Sequence, residues 1–230
     1  MVEDASGIGE AVATALAEHG ASVLCLYVDI AGALDTAATI TEMGGEADAG
    51  QLNILDGEAV TAAFESFNVK KGSLDIVVCT PGVNVRKPIL EYTDEDIDRV
   101  LGVNLKGNAH VIQAAGRIMI SQGSGSIILF SSIRSVVVGP GQSLYAATKA
   151  GIVQMVRVAA AELGPSGVRV NAIAPGVIDT PLTAPIKDKP AWYSAYADRN
   201  IFKRWGEARE MAGPTVFLAS EAASYVTGTV

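Results

Sequence analysis

Residues 126–132 read Ser126-Ile-Ile-Leu-Phe-Ser-Ser132, and after a glycine- and valine-bearing connection residues 143–149 read Ser143-Leu-Tyr-Ala-Ala-Thr-Lys149. A short, continuously apolar run is what a strand buried on both faces of a parallel sheet requires. The alanine-rich stretch that follows, 143–163, predicts a crossover helix. The same alternation extends outward in both directions. Downstream, residues 168–174 predict another strand and residues near 207–219 a last helix. Upstream lie a buried strand at Leu74–Cys79 and a long helix from Thr93 to about Ser121, whose Asp94, Glu95 and Asp96 suit its positive N-terminus. Before them come a helix near 57–68, a strand near 49–53, a helix at about 31–43, a strand at 22–27 and a helix at 7–18. The expected fold class is therefore α/β, a doubly wound parallel sheet with helices on both faces, built as one domain over 1–230. Segment 175–206 breaks the rhythm with three prolines close together (Pro181, Pro185, Pro190) and five aromatics, which predicts a substrate loop beyond a strand's carboxyl end.

Composition bounds the function. The formal net charge is −8, which argues against a nucleic-acid binder, since such proteins cluster Lys and Arg. Cys25 and Cys79 sit in apolar runs and read as reduced core residues of a cytoplasmic protein. No apolar run approaches the ~18 residues of a membrane helix, so no membrane partner is expected. No metal-ligating cluster stands out. Both ends look short: only Met1-Val2 precede Glu3, and the chain stops at Val230. The sheet is expected to lack most of its first and last strands, the chain being a fragment of a longer one.

Three constellations carry chemistry. Ser6-Gly7-Ile8-Gly9 opens the first helix, where glycines let backbone N–H groups approach a pyrophosphate; glycines also start helices for packing reasons. Asp29 follows Gly9 by 20 residues, the spacing of an acid that binds a ribose hydroxyl, or else is a solvated turn residue. Tyr145 and Lys149 share one helix face. A tyrosine of ordinary pKa, about 10, is a poor base at neutral pH, and a nearby ammonium favours the phenolate. Such a pair is often only a surface pair, but Ser131-Ser132 ends the preceding strand, where α/β sheets bind ligands.

Taken together, SGIG (6–9), VNLKG (103–107), SIILFSS (126–132), YAATK (145–149), VRVNAIAPGVIDTP (168–181) and ASYVTG (223–228) resemble the short-chain dehydrogenase/reductase family over nearly the whole chain. The resemblance implies a Rossmann-like fold and an NAD(P)-dependent oxidoreductase that interconverts a secondary alcohol and a ketone by hydride transfer. It implies a catalytic set in which Asn104 interrupts the long helix and holds a relay water, Ser132 polarises the carbonyl, Tyr145 is the acid/base and Lys149 binds the nicotinamide ribose and tunes Tyr145. It implies cofactor contacts from Ser6, Gly7, Ile8, Gly9, Asp29, Asn53, Gly82, Tyr145, Lys149, Pro175, Gly176, Ile178 and Thr180, with a small-molecule alcohol or ketone as substrate. A homotetramer or homodimer is expected, paired through the long helix and the 143–163 helix, the latter by Ala147, Ile152, Val156 and Ala159.

The chain departs from the family at three places. Val2-Glu3 stand where Thr-Gly opens the turn, Cys79-Thr80-Pro81-Gly82 where Asn-Asn-Ala-Gly follows the strand, and Asn53 where an aspartate meets adenine. The adenosine end reads as eroded, so weak cofactor binding, or a catalytically idle protein keeping the fold for binding or assembly, is the alternative expectation. Leu26-Tyr27-Val28-Asp29 holds no basic residue for the extra phosphate of NADP, which leans the choice to NAD.

Overall fold

The computed structural model describes residues 7–187 and 189–230. Ser6 and the Val2-Glu3 pair lie outside the described residues. Two compact units emerge, one from residues up to Gln51 with Pro175–Val216, the other from Leu52–Ala174 with Phe217–Val230.

In the first unit, α1 (Ile8–Glu18), β1 (Ser22–Tyr27), α2 (Ile30–Glu42) and β2 (Glu46–Gln51) succeed one another, and β1 pairs β2 in parallel from Ser22↔Glu46 to Tyr27↔Gln51. Cys25 packs with Ala33, Ala37 and Ile40 of α2. The strand expected near 49–53 starts earlier, at Glu46. Its Glu-Ala-Asp-Ala-Gly-Gln sequence has no apolar run, and pairing to β1 defines it instead of hydrophobicity.

In the second unit, α3 (Gly57–Lys71), β3 (Ile76–Cys79), α4 (Asp94–Leu101), α5 (Asn108–Gln122), β4 (Gly125–Phe130), α6 (Ser143–Leu163) and β5 (Val168–Ile173) build a parallel sheet in the order β3-β4-β5. Ile127, Ile128 and Leu129 are fully buried, as a strand covered on both faces must be. Gly228 and Thr229 hydrogen-bond to Val170 and Ala172 alongside β5. Thr93 caps α4 in a capping box with Asp96. The long helix expected over 94–121 is divided between α4 and α5 by a π-turn, Gly102–Gly107. That is the interruption expected at Asn104.

The insert at 175–206 is less irregular than expected. It contains β6 (Ile178–Asp179), α7 (Ala184–Lys187) and α8 (Pro190–Arg199), and β6 pairs with β7 (Gly206–Glu207). Tyr193 stacks on Trp205 at 5.0 Å, and the Trp205 indole N–H donates to the Tyr193 carbonyl. These aromatics serve packing of their own segment. The last helix begins later than expected: a 3-10 turn at Ala208–Met211, opened by the Glu207/Glu210 capping pair, precedes α9 (Ala212–Ala219). Among the described residues no helix is long and apolar enough to cross a membrane. Cys25 and Cys79 are buried free thiols.

Candidate active site

Asn104 sits in the π-turn, fully buried. Its Oδ1 accepts from the Val83 N–H (2.9 Å), while its Nδ2 donates to the Val83 carbonyl and to Thr148 Oγ1 (both 3.0 Å). One amide thus ties the Gly82–Val83 loop to α6. The extra residue of the π-turn turns this side chain inward, a device frequent at functional sites. The Asn104 carbonyl accepts from Asn108 Nδ2 at 2.9 Å.

Ser132 lies just past β4 and is 8% exposed, with its Oγ accepting from the Arg134 N–H at 3.1 Å. Ser131 beside it donates to the Lys149 carbonyl and so faces the helix. The two adjacent serines divide the work by the pleat: one anchors α6, the other is presented at the strand end. Burial pushes the Tyr145 pKa up, and the Ser132 side chain and the Arg134 charge oppose that rise. Lys149 is 3% exposed, and its Nζ donates to the Phe130 carbonyl at 2.7 Å, 5.6 Å from the Tyr145 ring centre. Desolvation lowers its pKa to about 8. The Arg134 charge, two residues past Ser132, also acts on the phenol, a neighbour that the sequence reading did not single out.

The structure brings Asn104, Ser132, Tyr145, Lys149 and Gly82 into one unit, with close approach at Gly82. A Cβ there would lie 3.2 Å from Lys149 Nζ and 3.7 Å from Asn104 Oδ1, so glycine leaves the ammonium approachable. A buried ammonium held by one carbonyl, with an open glycine beside it, suits the hydroxyls of a ribose. In the other unit, Gly7 is the N-cap of α1 with no side-chain cap bond, and a Cβ on it would meet nothing within 4 Å. With Ile8 and Gly9 in the first turn, the free N–H groups there suit a pyrophosphate. Asp29 caps α2 by accepting from the Ala31 N–H at 3.1 Å, a structural task that neither turn reading foresaw. Pro175, Gly176, Ile178 and Thr180 belong to that same unit, and Thr180 is tied to Thr183 through its N–H. Asn53 accepts from the Leu55 N–H and lines a cavity of about 920 Å³ with α3 and α5 residues such as Glu65, His110 and Arg117.

A family model described as enoyl-(acyl carrier protein) reductase matches residues 2–230. A 3-oxoacyl-[acyl-carrier-protein] reductase of Thermotoga maritima is 37% identical over 98% of this chain and 91% of its own length. A (3R)-3-hydroxyacyl-CoA dehydrogenase of Mus musculus is 35% identical over 97% of this chain and 89% of its own. The crystal structure of a gluconate 5-dehydrogenase from Burkholderia cenocepacia in complex with NADP and tartrate superposes with a TM-score of 0.94 at 31% identity, covering 99% of this chain and 89% of the other. An NAD+-bound xylitol dehydrogenase superposes at 0.93 with 27% identity, over 98% and 92% of the two chains. With its Rossmann-like α/β fold, the chain belongs to the short-chain dehydrogenase/reductase family of NAD(P)-dependent oxidoreductases acting on alcohols and ketones.

Proposed function

We propose that Tyr145 is the proton-transfer group of this oxidoreductase and Ser132 its partner on the substrate oxygen. The observation that carries the reading is the buried Lys149, with its Nζ 5.6 Å from the Tyr145 ring centre, beside a strand end that presents the buried Ser132 and whose Ser131 anchors the same helix. When bound, the nicotinamide supplies a hydride to the carbonyl carbon or accepts one from the carbinol. In reduction, the Ser132 hydroxyl donates a hydrogen bond to the carbonyl oxygen, and the Tyr145 phenol gives that oxygen its proton. In oxidation the proton returns to the phenolate, so both charge and atoms balance. Lys149 holds the ribose hydroxyls, and its cation offsets the charge left on Tyr145. Asn104 fixes the loop and α6 relative to each other, and its carbonyl, with Asn108, is the place for a relay water.

The pyrophosphate is assigned to the Gly7–Gly9 turn and the carboxamide side to Pro175, Gly176, Ile178 and Thr180. NAD is favoured over NADP because Leu26–Asp29 offers a carboxylate and no cation. Comparing NADH with NADPH at matched concentrations tests that choice. Among the relatives, a 3-oxoacyl thioester and a sugar acid are the contrasting substrates, and both carry the ketone or secondary alcohol this chemistry needs. For the assignment of Tyr145, Tyr145→Phe is expected to lower kcat by at least ~100-fold, the usual scale of general acid–base catalysis, with cofactor binding within about threefold of the parent. Near-full turnover by the Phe variant refutes it.

Self-association is proposed through α6, on a face that keeps only Ala147 of the residues the sequence suggested. Ile152, Val156 and Ala159 are buried in the chain's own core, whereas Ala147, Gln154, Val158 and Ala161 form the exposed stripe.

A further inference from the structure

Beside the proton-transfer pair stand polar groups that the proton chemistry does not use. Gln142, at the N-cap of α6 three residues before Tyr145, is 4% exposed, and its Oε1 has no hydrogen-bond partner. Asn84 Oδ1 is also buried without a partner. Asn84 directly follows Val83, which Asn104 grips through both backbone groups. The loop carrying Asn84 is fastened to the loop carrying Gln142. The Tyr92 hydroxyl reaches the Val85 carbonyl at 2.8 Å and the Gly141 carbonyl at 3.4 Å, and the Lys87 N–H donates to Gly141 at 3.2 Å.

Arg134 closes the group. Its Nη1 donates to the Val138 carbonyl at 2.9 Å. A Cβ on Gly139 would lie 2.7 Å from Arg134 Nη1 and 3.1 Å from Gln142 Oε1, so guanidinium and amide converge on one point. The same guanidinium acts electrostatically on the Tyr145 phenol. Buried polar atoms in proteins are nearly all paired, and an orphan marks an expected partner. Here the orphans are amide ends, which offer an acceptor or, after a half-turn, a donor. The cation next to the Gln142 amide is a donor suited to carboxylate.

We propose that Arg134, Gln142 and Asn84 form the polar subsite of the substrate, and that the substrate is a hydroxylated short-chain carboxylic acid or its keto form. Its carboxylate lies on Arg134, its neighbouring hydroxyls on the two amides, and its reacting carbon on Ser132 and Tyr145. The inference deepens the proton-transfer reading of Tyr145 and rests on it for the reacting end. A rival substrate, an apolar acyl thioester, would instead lie along the exposed valines Val136 and Val138.

The test compares a keto-aldonate, the ketose with CH2OH in place of the carboxylate, and a 3-oxoacyl thioester, each with NADH and NADPH. For the parent, kcat/KM for the keto acid is expected to exceed that for the ketose by at least ~30-fold, the scale of a charge-assisted bidentate contact. Arg134→Leu is expected to reduce that ratio by at least ~30-fold, mainly through KM, and Arg134→Lys, which keeps the charge without the planar fork, to restore only part of it. Gln142→Leu is expected to lower kcat/KM for the keto acid and the ketose alike by about tenfold, as loss of one hydrogen-bonded contact does, with their ratio unchanged. A parent ratio near one, a ratio unmoved by Arg134→Leu, or turnover of the thioester without the keto acid overturns the proposal. Should Arg134→Leu fail to fold, the parent ratio and Gln142→Leu still decide. The two readings separate cleanly. Thioester turnover without keto-acid turnover, abolished by Tyr145→Phe, upholds the proton-transfer role while refuting the subsite. Calorimetric binding of the keto-aldonate by the parent and not by Arg134→Leu upholds the subsite even if Tyr145→Phe stays active.

Discussion

Asn104 commits its whole amide to three partners, Val83 N–H, Val83 carbonyl and Thr148. Truncating it leaves both backbone groups of Val83, a residue 4% exposed, without partners. Each buried polar group so orphaned costs about 1–3 kcal/mol, so Asn104→Ala is expected to destabilise the protein by at least about 2 kcal/mol in urea unfolding. Turnover is expected to fall more than cofactor affinity, because the Val83 loop and Thr148 flank Tyr145 and Lys149. A stability change under about 0.5 kcal/mol would show that the loop is held by other means. Asn104, Ser132, Tyr145 and Lys149 were legible because each sits in a motif of fixed spacing. Arg134 and Gln142 were not, because their significance lies in convergence on Gly139, which spacing along the chain does not encode. Asp29 was legible as an acid at a strand end, yet its side chain is used as a helix cap, a choice set by the geometry of the turn into α2.

Gly167 ends the 3-10 turn Gly164–Ser166 and leads into β5 with φ near +80°. A Cβ there would overlap the Gly123 carbonyl oxygen, which belongs to the turn entering β4. Two turns at the same edge of the sheet are thus packed backbone to backbone. Gly167→Ala combines left-handed strain with this overlap, and it is expected to destabilise the protein by about 1–3 kcal/mol, read as a lowered midpoint in urea. A variant as stable as the parent would mean that the two turns can part. The elements themselves were largely readable, because buried parallel strands are apolar throughout and amphipathic helices repeat every 3.6 residues. Helix α6 has the span its sequence predicts, 143–163. The misplaced element is β2, whose Glu46 and Asp48 belong to a polar strand specified by its partner β1. The insert at 175–206 hid its short helices because prolines dominate local reading, whereas Pro190 stands at a helix start, where proline is tolerated.

For the whole molecule, self-association and alkaline stability follow from the same burial pattern. Val158 is 54% exposed on α6 amid Ala147, Gln154 and Ala161. Light scattering of the parent is expected to give a dimer or tetramer and that of Val158→Glu a species near 23.7 kDa; a monomeric parent overturns the α6 assignment. In the protein without cofactor, the buried titratable groups act on stability in opposite directions as pH rises. Burial raises Cys25 from 9.0 to about 11, Tyr27 from 10.0 to about 12 and Cys79 from 9.0 to about 12. Each keeps its proton in the folded state after the unfolded chain has lost it, so the stability these groups contribute is intact below pH 9 and drains away as pH rises toward 12. Lys149 runs the other way. Its folded pKa is about 8 against 10.5 unfolded, so the cost of burying its charge is present at neutral pH and is relieved between 8 and 10.5. Between pH 8 and 9 only Lys149 among these groups titrates differently in the two states, and stability is expected to rise; above 9 the two thiols and then the phenols reverse the slope. Urea midpoints are therefore expected to peak near pH 9. Lys149→Met is expected to remove the rising limb, being more stable than the parent at pH 7 by a margin that shrinks as pH approaches 10.5. Cys79→Ala is expected to flatten the falling limb. A parent whose stability falls steadily from pH 7 to 9, or a Lys149→Met advantage that grows with pH, would mean that Lys149 keeps its full charge in the folded core and that its contact with the Phe130 carbonyl outweighs desolvation.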